Sequence, residues 1–265
     1  MNNQPFIIGG SGSSGTTLLK VLLNRHSKIA IGPELSIFNK EDFFIKPFSF
    51  FQKHIEKILR RGMCCSGWFL YPETLSNYES YGWTYDELVK LVRNSHSHKV
   101  FIESFFSRFL AIQNKTIWGE KTPSNAYCFH HFLKLYPEAK FIHVIRDGRD
   151  VLASFRKRGM NPYFATGLWL YNTTHALKYR GLPNYLELRY EELVLDPEHV
   201  IRKICDFLEI DYEENILYDE QTSDPDTGIN SWKNTPHSRI SPSSIGNFKN
   251  VLTDFDYFAF QTTNI

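Results

Sequence analysis

The chain has 265 residues, 42% of them hydrophobic, which is ample for one α/β domain with a full core. Its 30 Lys and Arg stand against 29 Asp and Glu, so it lacks the basic excess of a nucleic-acid binder and any anion site must be local. No stretch approaches the ~18 apolar residues that cross a bilayer, and the first strand starts too soon after Met1 for a leader, so a soluble, cytoplasmic protein with no membrane span is expected.

The first element is an apolar strand, Phe6-Ile7-Ile8, running into Gly9-Gly10-Ser11-Gly12-Ser13-Ser14-Gly15 and then the helix start Thr16-Thr17-Leu18-Leu19. Gly10 and Gly15 keep the spacing of the phosphate loop G-x-x-x-x-G-K-[ST], but Thr16 stands where that pattern has its lysine. What survives is the backbone device: unpaired N–H groups at a helix start, carrying the positive end of the helix dipole. Such a loop binds an anion but is poorly equipped to stabilise a departing γ-phosphate, which points to a nucleotide with a shorter 5′ anion.

Leu18, Leu19, Val21, Leu22 and Leu23 cover most of the next helix, as expected for one packed on a sheet. Lys28-Ile29-Ala30-Ile31 reads as a second strand, broken by Gly32-Pro33, which leaves Glu34 just past its carboxyl end, the edge where open α/β sheets hold ligands. Residues 36–115 read as a mainly helical insertion over the sheet, with a capping box at Thr84 and Glu87. Its phenylalanines, such as Phe43, Phe51, Phe101 and Phe105, suit plain core at helical spacing better than an acceptor pocket.

Lys140-Phe141-Ile142-His143-Val144-Ile145 suits a central parallel strand that delivers Arg146 to the same edge. A helix follows Gly148, another spans about 164–179, Tyr185 to Tyr190 alternates like a strand, and Pro197 to Leu208 has helical spacing. The tail after Asp219 reads as loops. Strands separated by helices predict an α/β fold: a P-loop-type, mainly parallel sheet with helices on both faces. The four cysteines, of which only Cys64 and Cys65 are adjacent, have no metal spacing and read as small buried hydrophobes. His96, His98, His130 and His131 likewise lack metal-ligand spacing with partners, so no metal is expected.

Arg146 at a strand end and Ser154 on the following helix can converge on one phosphate, the arginine through a bidentate fork and the serine through its hydroxyl. The plain alternative pairs Arg146 or Arg149 with Asp147 or Asp150. A 5′ anion in the loop and a second phosphate at Arg146 together describe an adenosine 3′,5′-bisphosphate skeleton.

Five motifs in order carry a resemblance to a known family. They are the loop from Ser13 to Leu19, Gly32-Pro33-Glu34, Trp118-Gly119-Glu120-Lys121-Thr122-Pro123, Arg146-Asp147-Gly148-Arg149-Asp150 through Ser154, and Arg189-Tyr190-Glu191-Glu192-Leu193. The chain resembles the sulfotransferases that use 3′-phosphoadenosine 5′-phosphosulfate (PAPS), most closely the tyrosylprotein sulfotransferase branch and its bacterial relatives. The resemblance implies that Ser13, Ser14, Gly15, Thr16 and Thr17 hold the 5′-phosphosulfate. It likewise implies that Arg146 and Ser154 hold the 3′-phosphate, Glu34 is the catalytic base and Lys121 stabilises the leaving 5′-phosphate, while Tyr190 either contacts the adenine, supports the site or is a plain core tyrosine.

Two departures stand out. Ser13 occupies the position of an arginine in the tyrosylprotein branch, so either the rate is lower or another cation fills in. The arginine-lysine-glycine run of cytosolic relatives is replaced by Ser241-Pro242-Ser243, with Arg239 or Lys249 as substitutes. The expected activity is sulfuryl transfer to a hydroxyl on a saccharide, lipid or small metabolite, or on a peptide tyrosine. The rivals are a P-loop small-molecule kinase or NTPase with Asp147 as its magnesium aspartate, and a non-catalytic nucleotide-binding module.

Overall fold

The computed structural model describes residues 4–59, 75, 77–218 and 240–263. The described residues contain five strands: β1 (Phe6–Gly10), β2 (Ile29–Ile31), β3 (Ile117–Lys121), β4 (Lys140–Ile145) and β5 (Tyr185–Arg189). They form one sheet in the order β2-β3-β1-β4-β5, and every pairing is parallel. Their carboxyl ends therefore share one edge, as the strand–helix alternation predicts. β3 is the strand that sequence reading passed over. It is only five residues long and contains Gly119, Glu120 and Lys121, so it has no apolar run to recognise, yet all five residues are buried.

Helices cover both faces. Helix α1 (Thr16–Asn24) packs its leucines with Phe6, Ile8, Ile142, Val144 and Leu188, a core completed by α9 (Tyr190–Leu195), α10 (Pro197–Leu208) and α11 (Asn215–Tyr218). The other face carries Ile7, Ala30, Trp118 and Phe141 beneath helices that lie between β2 and β3 or follow β3. These are α2 (Glu41–Ile45), α3 (Phe48–Leu59), α4 (Tyr85–Asn94), α5 (His98–Gln113) and α6 (Phe129–Leu135). Alternation along each strand splits the cores: Phe6 and Ile8 point to one and Ile7 to the other.

Phe43, Phe51, Phe101, Phe105 and Phe106 are 2% exposed or less, and Phe106 stacks on Trp118 at 3.8 Å between ring centres. They are core, as their spacing favours. The capping box is present, with Thr84 Oγ1 accepting from Glu87 N while Glu87 accepts from Thr84 N. The tail differs from the loops expected of it: beyond residue 239 it forms α12 (Phe248–Val251) and the ten-residue α13 (Asp254–Thr263). α13 packs on α8 (Pro162–Leu177), which follows α7 (Gly148–Lys157). Phe260 meets Trp169 there at 5.7 Å, a tertiary contact that no local period announces. Cys128 and Cys205 are buried, and burial pushes their thiols up to about 12 and about 11, so neither is a thiolate near neutrality. Cys64, Cys65 and Arg239 lie outside the described residues. Among the described residues, no helix is long and apolar enough to cross a membrane.

Candidate active site

The loop between β1 and α1 is shaped by backbone. Gly15 takes φ +93°, a left-handed conformation, and a Cβ there would lie 2.3 Å from Cδ2 of Tyr190. Ser14 closes the turn, its N–H and hydroxyl both donating to Ser11 O, at 3.2 and 2.6 Å. The N-cap residue of α1 is Gly15, which makes no side-chain cap bond, so the helix start has the character of an anion site.

Lys121, the last residue of β3, delivers its ammonium to this loop. Its side chain has no exposed surface, and Nζ donates to the Glu34 carboxylate and, at 3.3 Å, to Thr17 Oγ1. Glu34 lies just beyond β2 and keeps 31% of its side chain exposed. Its backbone is held from several sides. Tyr81 OH donates to Pro33 O at 2.6 Å, Asn77 donates to Glu34 O at 2.7 Å, and Glu120 accepts from Leu35 N at 3.1 Å. Gly32 makes this approach feasible, because a Cβ there would meet the Tyr81 ring at 2.4 Å.

Glu120 is itself wholly buried, accepting from Thr122 Oγ1 at 2.7 Å and Asn125 Nδ2 at 2.5 Å as well as from Leu35 N. Burial raises its carboxyl above the ordinary value, against those three hydrogen bonds, which favour the ionised form.

A second cluster gathers on Ser13. Arg146, 9% exposed, donates at 2.9 Å to Ser13 O and at 2.8 Å to Ser244 O, and its guanidinium lies 4.4 Å above the Tyr190 ring. Ser154 Oγ sits 3.0 Å from Ser13 Oγ, and Arg158, one turn further along and just past α7, donates to the same Ser13 hydroxyl. Tyr190 OH meets Ser244 Oγ at 2.5 Å. Asp150 accepts from Gly246 N at 2.8 Å and Phe248 N at 2.9 Å, which ties the C-terminal segment to α7. Asp147 caps α7, accepting from Arg149 N at 2.8 Å and pairing with the Arg149 guanidinium at 2.6 Å. Burial would raise its carboxyl, but the hydrogen bonds and charge of Arg149 carry it below the usual range.

The profile described as "Sulfotransferase family" matches residues 5–214, from β1 through the helices after β5. The chain belongs to the sulfotransferase family.

Among curated relatives, protein-tyrosine sulfotransferase A of Caenorhabditis elegans is 25% identical over 257 residues, 91% of this chain and 60% of that protein. The chain thus spans somewhat over half of that relative. Among solved structures, the sulfotransferase domain of the Synechococcus PCC 7002 olefin synthase has a TM-score of 0.67 at 22% identity, covering 99% of this chain and 94% of that one. Mouse sulfotransferase SULT7A1, solved in complex with PAP, has a TM-score of 0.52 at 13% identity, covering 99% of this chain and 83% of that one. Both structures share the fold.

Within this sulfotransferase fold, the residues singled out from sequence fall into two joined groups. Glu34, Lys121 and Thr17 meet at the loop, while Ser13, Arg146, Ser154 and Tyr190 meet around the loop's outer rim with Ser244. Lys249 stands apart, exposed on α12. Sequence reading missed Arg158, whose signal was its place four residues after Ser154 on a helix face. It also missed Glu120, Asn125 and Ser244, which bear on the site through contacts distant in sequence.

Proposed function

We propose that this protein moves the sulfuryl group of PAPS to an acceptor hydroxyl. The observation that carries the reading is the meeting of Lys121, Glu34 and Thr17 at a loop without the usual lysine, beside the Arg146, Ser154 and Arg158 cluster. The loop N–H groups and Thr17 hold the 5′-phosphosulfate, and Arg146, Ser154 and Arg158 hold the 3′-phosphate with Tyr190 beneath. Arg158, though it reaches the Ser13 hydroxyl, belongs to the 3′-phosphate cluster, so at the 5′ anion, where the tyrosylprotein branch has an arginine, Lys121 and the loop N–H groups carry the charge.

The acceptor oxygen attacks sulfur in line, forming a new S–O bond as the bond from sulfur to the 5′-phosphate oxygen breaks. The acceptor proton passes to the Glu34 carboxylate, and the electron pair stays on the leaving phosphate, where Lys121 stabilises it. The products are a sulfate ester and adenosine 3′,5′-bisphosphate. Lys121 here supplies the positive charge that magnesium supplies in phosphoryl transfer. Asp147, spent on capping α7 and pairing with Arg149, speaks against the kinase reading. The segment between β2 and β3, which holds the backbone of Pro33 and Glu34 through Tyr81 and Asn77, forms the acceptor side, suited to a saccharide, lipid, small metabolite or peptide tyrosine.

Incubation with radiolabelled PAPS and a panel of such hydroxyl acceptors should label one class and release the bisphosphate. Lack of binding to PAPS and bisphosphate at micromolar concentration, or magnesium-dependent ATP hydrolysis, overturns the reading.

A further inference from the structure

Lys121 serves two partners that cannot both be kept during the proposed reaction. Its ammonium is sealed from solvent, and an ion so placed costs several kcal/mol unless a counter-charge meets it. In this structure Glu34 supplies that counter-charge. The same Nζ already touches Thr17 Oγ1 at 3.3 Å, in the first turn of α1 just after the phosphate loop. A 5′-phosphosulfate seated on that turn brings negative charge within reach of the ammonium without Lys121 having to travel. Glu34, with 31% of its side chain exposed, is the partner with room to leave.

We infer that Lys121 exchanges Glu34 for the donor's 5′ anion, and that this exchange is what frees Glu34 to act as base. The inference rests on the sulfuryl-transfer reading above and adds an order to it. Without donor, Glu34 is tied to Lys121 and does not take an acceptor's proton; with donor seated, the carboxylate is released towards the cleft. After transfer, the proton sits on Glu34, which is then neutral and does not compete for Lys121. Loss of that proton to solvent restores the carboxylate, which recaptures the ammonium and loosens the bisphosphate. Donor binding, base activation and product release are thus coupled through one ion pair.

The test is calorimetric titration of wild type, Glu34→Gln, Lys121→Met and the double variant with adenosine 3′,5′-bisphosphate, with folding checked by circular dichroism. A base with no hold on Lys121 predicts unchanged nucleotide affinity in Glu34→Gln. The exchange predicts bisphosphate binding tighter by about tenfold, because the competing charge is gone. In the Lys121→Met background the same Glu34→Gln change should have little effect. A second readout is melting temperature: Glu34→Gln should melt lower than wild type without nucleotide, because the carboxylate beside the buried ammonium is gone, and gain more on saturation with bisphosphate. Unchanged or weaker binding by Glu34→Gln overturns the inference, as does equal tightening in the Lys121→Met background, which reports a general field instead of an exchange. If wild type fails to bind the bisphosphate at all, it is the donor reading that falls, and the inference falls with it.

Discussion

At Gly15 a single hydrogen atom in place of a methyl decides whether the loop exists. A methyl there would meet the Tyr190 ring at 2.3 Å while the backbone holds φ +93°. Gly15→Ala should cost about 1–3 kcal/mol of stability and weaken bisphosphate binding, measured by urea unfolding and titration. Arg146 matters through its fork, which already spans Ser13 O and Ser244 O. Arg146→Ala should weaken the bisphosphate by about 2–4 kcal/mol. Arg146→Lys should recover only part, since a lysine presents a point charge and not a planar pair of donors. For Glu34→Gln, steady-state assays with PAPS and an identified acceptor should show a rate loss of roughly 10²-fold or more.

At the level of elements, β3 is the organiser. Successive side chains on a strand point to opposite faces, so Glu120 and Lys121 serve different surfaces from adjacent positions. Lys121 reaches the loop and Glu34, whereas Glu120 anchors the backbone after Glu34 and the turn that carries Thr122 and Asn125. In Glu120→Gln an amide N–H must face one of these donors. Turnover should then fall on the order of tenfold through displacement of Glu34, without weakening of bisphosphate binding, because the loop keeps its own hydrogen bonds. Kinetics and titration on the same preparation would reveal that split. A merely destabilised protein would instead lose both properties in proportion to its unfolded fraction.

Across the whole molecule, burial has a pH signature. His143 on β4 is wholly buried, its Nδ1 lies 2.7 Å from Tyr185 OH, and burial pushes its pKa down to about 4. The free imidazole titrates near ~6.5, so between those values the unfolded chain binds a proton that the folded one does not. Stability is therefore full above the unfolded value and falls as pH drops towards about 4, by at most about 3 kcal/mol from this group. Denaturant unfolding at pH 7 and pH 5 should show the loss, and His143→Gln, whose amide oxygen can accept from Tyr185, should flatten it.

The sequence by itself determined the elements whose instructions are local. The apolar runs of β1 and β4, the glycine turn before α1, the Thr84–Glu87 cap and the period of α10 each depend on neighbours within a few residues. Glu34 and Arg146 stood out as residue types just past strand ends and Ser154 as a hydroxyl on the helix that follows, whereas Lys121, on a strand the residues did not announce, was singled out only by the family resemblance. Tertiary structure alone decided their pairings. A parallel sheet joins strands through long crossovers, so β3 became a strand only because β1 and β2 lie on either side of it. Glu34 met Lys121 across 87 positions of sequence, and Arg158 met Ser13 across 145. The buried carboxylate of Glu120 is tolerable only because three donors, one of them 85 residues away, converge on it once the chain is folded.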